Sequence, residues 1–282
     1  MRNILVPVNS DGRMWPVLGT ARLVADMFGS YIEGIALRPE VPEVVSAEFI
    51  VASPPLDLDS QHELMDTARR AFDEFMSQAG VPSYSDGSTA SDGSTAPSSG
   101  WAGGRLATDM HIGSYGRLFD LIVLGRPNAA GEPTRVATVE AALFESGRPL
   151  LLVPPSGAKT IGKTVVIAWN GSTETARTVA LAMPILRKAQ RVIVLTVEGW
   201  DVDGPPGESL ARNLARSGIP AEATTRAGEA SPGQAVLEHV QALGGDLLIK
   251  GAYTQSRLRQ MIFGGTTRHI IAKATVPVLT AH

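Results

Sequence analysis

At 282 residues the chain can hold one large domain or two ordinary ones, and its 44% hydrophobic and 19% charged residues are globular values. A formal net charge of -3 gives no electrostatic reason to expect nucleic acid or an anionic membrane as partner, and no apolar run approaches the roughly 20 residues that cross a bilayer. With no cysteine, disulfides and thiolate chemistry are excluded. The opening MRNILVPVNS lacks the long apolar segment of a signal peptide, so a cytoplasmic location is expected.

Ile4 to Val8 is a compact apolar strand candidate, broken by the turn residues Asn9-Ser10-Asp11-Gly12. Val17, Leu18, Ala21, Val24, Ala25 and Phe28 then recur at helical spacing, with Gly29 at the helix end. Tyr31 to Leu37 reads as a second strand, so the chain opens as a βαβ unit with parallel strands and a right-handed crossover. The proline-interrupted stretch from Pro39 to Pro55 gives no clear element. An amphipathic helix follows on Leu64, Ala68, Phe72, Phe75, Met76 and Ala79, ending at Gly80. The run Ser85-Asp86-Gly87-Ser88-Thr89-Ala90 is repeated at Ser91 to Ala96; such a tract cannot bury enough apolar area to fold and is expected to be a mobile loop. Leu121 to Leu124 reads as a buried strand, Thr138 to Glu145 as a short helix and Pro149 to Val153 as another strand.

After a linker-like Pro154 to Lys163 the pattern starts again. Val165 to Trp169 precedes Asn170-Gly171-Ser172 as Ile4 to Val8 precedes Asn9-Ser10. A helix from about Glu174 to Ala189, to be bent by Pro184, and a strand from Arg191 to Val197 come next. Asp246-Leu247-Leu248-Ile249 echoes Asp120-Leu121-Ile122-Val123, and Val276-Pro277-Val278-Leu279 echoes Arg148-Pro149-Leu150-Leu151. Four landmarks in one order predict two copies of one α/β domain, at 1–157 with a disordered Ser/Gly-rich insertion near 84–100, and at 160–282. The apolar terminal strands, Pro149 to Val153 and Val276 to Leu279, suit pairing across a pseudo-twofold, so that one chain mimics a homodimer; association of two whole chains is left open.

The stretch from Gly251 to Thr267 carries the strongest functional signal. It leaves the strand at Asp246 to Ile249, closes at Gly264-Gly265-Thr266-Thr267 and feeds a short helix. A glycine turn entering a helix can hold an anion on the unpaired amides and positive dipole of the first turn. These landmarks resemble the universal stress protein family in its tandem form, over nearly the whole chain. The resemblance implies two tandem doubly wound five-stranded parallel-sheet domains of the adenine-nucleotide alpha-hydrolase-like, Rossmann-like kind. It also implies ATP or another adenine nucleotide, with Mg as its companion ion, on a loop written G-x2-G-x9-G-(S/T). Gly251 matches the first glycine and Gly264 the last, while Thr254 stands at the middle glycine and Gly265 where Ser or Thr is usual, with Thr266 and Thr267 following. The acidic residue that the family places after its first strand is Asn170 here, and the end of the second strand, Val197, would give backbone contact to the base. In the first copy Thr138 stands where the last glycine would fall, so no nucleotide site of this type is expected there.

Each residue also has a plainer role. Gly251, Gly264 and Gly265 permit turns and close packing, Thr266 and Thr267 cap the last helix, and Asn170-Gly171-Ser172 is a turn and helix cap. Arg257, Arg259 and Arg268 place positive charge near the loop or simply meet solvent, and Lys250 reaches an anion or points to water. The five histidines show no metal spacing, and there is neither a nucleophile turn nor a phosphate-loop signature. The reading is therefore a stress-response regulatory module without dedicated catalysis, beyond slow ATP hydrolysis. The alternatives are a ligand-free interaction scaffold for a protein partner that the sequence does not identify, and, last, an adenine-nucleotide-dependent hydrolase.

Overall fold

The computed structural model describes residues 1–9, 14–39, 44–45, 50–51, 56–84, 96–127, 134–200, 202–227, 231–252 and 265–282. The two Ser/Asp/Gly repeats, except Ala96, and the loop carrying Thr254, Arg257, Arg259 and Gly264 lie outside these residues. The first half runs β1 (Asn3–Val8), α1 (Trp15–Phe28), β2 (Tyr31–Leu37), a short antiparallel pair β3 (Val44–Val45) and β4 (Ile50–Val51), α2 (Leu58–Gln78), β5 (Ser98–Ala107), α3 (Asp109–Tyr115), β6 (Leu121–Gly125), α4 (Val136–Glu145) and β7 (Leu150–Val153). The second runs β8 (Thr164–Ala168), α5 (Thr173–Leu186), β9 (Arg191–Val197), α6 (Gly207–Arg216), β10 (Ala221–Arg226), α7 (Pro232–Ala242), β11 (Leu247–Ile249), α8 (Gly265–Lys273) and β12 (Val278–Thr280).

Ten of these strands form one sheet, in the order β10-β9-β8-β11-β12-β7-β6-β1-β2-β5. Each half contributes five strands in the same relative order, third, second, first, fourth, fifth, and within each half every pairing is parallel. The halves meet where β12 pairs antiparallel with β7, through Val278 with Leu152, Leu279 with Leu151 and Thr280 with Leu150. These are the two apolar terminal strands that the sequence marks for pairing. Their side chains are buried, as strands covered on both faces require.

Helices cover both faces, so the sheet is doubly wound. Val17 of α1, Phe72 of α2, Val179 of α5 and Leu214 of α6 share one core, and Ile112 of α3, Val139 of α4, Val236 of α7 and Ile270 of α8 share the other. Both cores run through the two halves without a break. The segment between them, 154–163, is packed rather than loose: Ile161 is buried, and Thr160 donates to Asp246 Oδ2 at 2.9 Å.

The assignment of 84–100 as insertion needs one correction. The edge strand β5 already begins at Ser98, and the backbone N–H of Tyr84 donates to the Ser99 carbonyl at 2.7 Å. A Ser/Gly-rich composition hid a strand that adds main-chain hydrogen bonds to an edge and needs few apolar side chains there.

The repeated aspartate has a structural reason. Asp120 Oδ2 accepts from the amides of Arg2 (2.6 Å) and Asn3 (3.1 Å), just ahead of or at the start of β1. Asp246 does the same for the other half, taking Thr164 N on Oδ1 (3.0 Å) and Lys163 N on Oδ2 (3.1 Å). Burial pushes the Asp120 carboxyl up, but the two amides, with the amino-terminal charge and Arg148, together outweigh it and hold the group below its ordinary value. Each aspartate thus ties the fourth strand of its half to the first. Removal of these charge-assisted bonds in Asp246→Ala is expected to cost ~2 kcal/mol in urea denaturation, with Asp246→Asn keeping part of it. An unchanged midpoint for Asp246→Ala would reject the tie.

Candidate functional site

In a doubly wound sheet the ligand crevice lies at the carboxyl ends of the strands, where the strand order reverses. In the second half that is the gap between β8 and β11. Asn170 follows β8, Val197 ends β9, Gly251 follows β11 and Gly265, Thr266 and Thr267 open α8. The topology brings them to one corner, and contacts link several of them directly.

Asn170 is 3% exposed and turned inward. Its Oδ1 accepts from Thr175 Oγ1 at 2.9 Å and from Ser172 N at 3.3 Å, while Ser172 caps α5 by accepting from Thr175 N. The Val197 carbonyl accepts from Trp200 N at 3.3 Å in the turn leaving β9. Gly251 packs on the first turn of α5: a Cβ there would lie 2.3 Å from Thr175 N and 2.6 Å from the Glu174 carbonyl carbon. Close packing alone therefore accounts for this glycine. Gly265 is the opposite case, exposed and with nothing among the described residues within 4 Å of an added Cβ. Thr266 is half-buried, Thr267 is buried, and Arg268 meets solvent.

The residue that organises the corner is Lys250, which the sequence leaves between an anion and water. It does neither of those in the described residues. It is 4% exposed, and its Nζ donates to the Gly251 carbonyl at 2.6 Å and to Thr267 Oγ1 at 2.9 Å. The ammonium also lies 5.7 Å from the centre of the Trp200 ring. Burial holds its amine down at about 8, with the Glu174 charge pulling the other way. No carboxylate of the described residues makes an ion pair with it.

The signal for Lys250 was present in the repeat. Asp246 to Gly251 runs in step with Asp120 to Gly125, and the position of Lys250 is that of Leu124. Likewise Thr267 corresponds to Val139 when the two last strands are set in step. Leu124 and Val139 are both buried in the core of the first half. The second half has thus exchanged an apolar pair for a hydrogen-bonded polar one. At the matching corner of the first half, Asp109 Oδ1 instead accepts from Arg135 Nη2 and Thr138 Oγ1, both at 2.6 Å.

A cavity of about 190 Å³ adjoins the corner, lined among others by Trp169, Asn170, Gly171, Thr196, Pro205 and Thr225. That is below the roughly 300–1,000 Å³ of sites that enclose a whole drug-sized ligand. The chain after β9 folds across it: Trp169 Nε1 donates to the Pro205 carbonyl at 2.8 Å and Val202 N to the Asn170 carbonyl at 3.0 Å. Among the described residues no cluster of His, Asp and Glu is arranged to hold a metal, and no helix is long and apolar enough to cross a membrane.

The model of the universal stress protein family matches residues 207–282, from α6 to the end of the chain. Universal stress protein Slr1230 of Synechocystis is 28% identical over 172 residues, covering 57% of this chain and 58% of that protein, so the match spans less than two thirds of its length. A universal stress protein from Archaeoglobus fulgidus superposes with a TM-score of 0.60, covering 99% of this chain and 95% of its own at 15% identity. A putative universal stress protein from Pseudomonas aeruginosa gives 0.54 over 100% and 93%, also at 15% identity. These two likenesses show the fold. Residues 207–282 thus carry the universal stress protein family match, and the chain as a whole is similar in fold to universal stress proteins.

Proposed function

We propose that the chain is a cytoplasmic stress-response module of two domains, 1–157 and 160–282, whose second domain binds an adenine nucleotide through its phosphates. One observation carries this reading: a buried ammonium, Lys250, stands beside the first turn of α8 and donates, among the described residues, to neutral oxygens. Buried charges are normally paired, and a cation is disfavoured at the positive end of a helix. Phosphate oxygens would supply the missing negative charge, on the amides of the exposed, unobstructed Gly265 and of Thr266, beside Thr267. Mg would come with the nucleotide, since the described residues offer it no carboxylate cluster of their own.

Calorimetry with ATP, ADP and AMP at millimolar ligand tests this. Binding heat is expected, weakened several-fold in Gly265→Ala, whose methyl group enters open space in the protein but faces the ligand. No heat and no thermal shift with any of the three would sink the proposal.

The inward Asn170, the engaged Val197 carbonyl and the small adjoining cavity favour a second reading, a ligand-free interaction scaffold. A nucleotide carried through purification would reject it. Catalytic hydrolysis ranks last: neither a nucleophile turn nor a phosphate-loop signature accompanies the corner.

A further inference from the structure

Lys250 is a primary amine removed from water and set against the positive end of a helix. Among the described residues its hydrogen bonds go to two neutral oxygens, the Gly251 carbonyl and the Thr267 hydroxyl, and the Trp200 ring lies beside it. Glu174, in the first turn of α5, is the acid whose field reaches it, without forming an ion pair. The first-turn amides of α8, its dipole, and a Thr267 hydroxyl that can rotate from accepting to donating suit an anion at the same point. Burial also keeps a sizeable fraction of the amine neutral near physiological pH, since it is held down at about 8.

We propose that Lys250 is a reversible carbamylation site for carbon dioxide, its carbamate held by Thr267 and the start of α8. Carbon dioxide is small and uncharged, and so suited to reaching an amine that is 4% exposed. The amine lone pair forms an N–C bond to the carbon, one C=O electron pair moves onto oxygen, and one N–H proton leaves to solvent. No oxidant or reductant is needed. The remaining N–H keeps its bond to the Gly251 carbonyl, and the new carboxylate oxygens accept from the Thr267 hydroxyl. The first half carries Leu124 in the matching place and cannot undergo this reaction, so the modification belongs to one half alone. It does not depend on nucleotide binding: either can fail without the other, and if both hold, carbamate and phosphate compete for the same helix start.

The chain has five lysines, and the other four, Lys159, Lys163, Lys188 and Lys273, are exposed. They lack the enclosure beside Thr267 and the start of α8 that would hold a carbamate. The experiment equilibrates the full chain, free of nucleotide, with 13C-labelled carbon dioxide and bicarbonate near pH 8. Carbon NMR follows the carbamate, and triethyloxonium traps it for peptide mapping by mass spectrometry. The expected result is a saturable, reversible carbamate resonance that is lost in Lys250→Leu, with trapped ester on Lys250 several-fold above any other lysine. A carbamate spectrum unchanged in Lys250→Leu, or ester confined to the amino terminus and the exposed lysines, would overturn the proposal. Mapping on the unmodified sequence decides the matter even if the variant folds poorly.

Discussion

Replacing Gly251 by alanine is expected to destabilise the protein by ~3 kcal/mol, at the upper end of what overpacking a core costs. The backbone conformation at Gly251 lies outside the left-handed region, so an alanine can adopt it, and the whole penalty is steric. The atoms in the way, Thr175 N and the Glu174 carbonyl carbon, are main chain. They cannot rotate aside as a side chain could, so either β11 or the start of α5 must move. Asn170 and Ser172 both hold that helix start through Thr175, which makes the movement more costly. Thermal or urea denaturation measures the loss, and Gly265→Ala is the control, since its Cβ meets nothing among the described residues within 4 Å. If Gly251→Ala is as stable as the parent, the glycine is there for a ligand and not for packing. If Gly265→Ala is the damaging one, close packing at the start of α8, and not at the end of β11, limits stability.

The second large effect runs in the opposite direction. The double change Lys250→Leu with Thr267→Val rebuilds in the second half the apolar pair, Leu124 and Val139, of the first. At pH 7 it is expected to raise stability by ~2 kcal/mol. The Lys250 amine falls from 10.5 to about 8 on folding. At about 1.36 kcal/mol per pH unit this is a penalty of ~3 kcal/mol on the charged form, from which about 1 kcal/mol is returned because the Gly251 carbonyl loses its donor. The pH dependence fixes the cause. Between about 8 and 10.5 the unfolded chain binds the proton that the folded chain has released, so native stability rises with pH across that window. Below about 8 the full penalty applies. The advantage of the double variant must therefore be greatest at neutral pH and shrink as pH climbs above 8. A constant advantage would point to packing alone, and a loss of stability at pH 7 would show that Lys250 is better paired than its neutral partners imply. Retention of such a residue at a cost in stability is the pattern expected of a functional group.

Much of the fold was legible because strands buried on both faces leave near-continuous apolar runs. β1, β6, β7, β8 and β11 all announce themselves this way, and the recurrence of Asp120 and Asp246 sets the two halves in step. The edge strands were not legible. β10, Ala221–Arg226, reads AEATTR and is largely exposed, so it carries no apolar pattern. β5 is rich in Ser and Gly for a tertiary reason: a Cβ at Gly100 would meet the Tyr31 hydroxyl at 2.1 Å, and one at Gly34, on β2 beside it, would meet Trp101 at 2.6 Å. α6 and α7 were likewise left unassigned between Val197 and Asp246, although α6 has a clear apolar face through Ala211 and Leu214.

The candidate site divides differently. The glycine turn at a helix start marks Gly251, Gly265, Thr266 and Thr267 in the sequence, while Asn170 and Val197 join them only through the family resemblance. Which of them faces a ligand could not be read that way. Asn170 turns inward to brace α5, and Gly251 is pressed against the same helix.

The sequence by itself determined two α/β halves, their strand order along the chain and the two apolar strands able to join them, since periodicity and repetition are properties of the chain alone. Only the tertiary structure decided that Lys250 is buried against Thr267 and Trp200, because the direction in which a side chain leaves a strand end depends on what the opposite layer places there. A lysine after an apolar run looks like the point where the chain meets water. Here the first turn of α8 and the ring of Trp200 cover it, and a residue written as surface becomes the most strongly perturbed group at the corner.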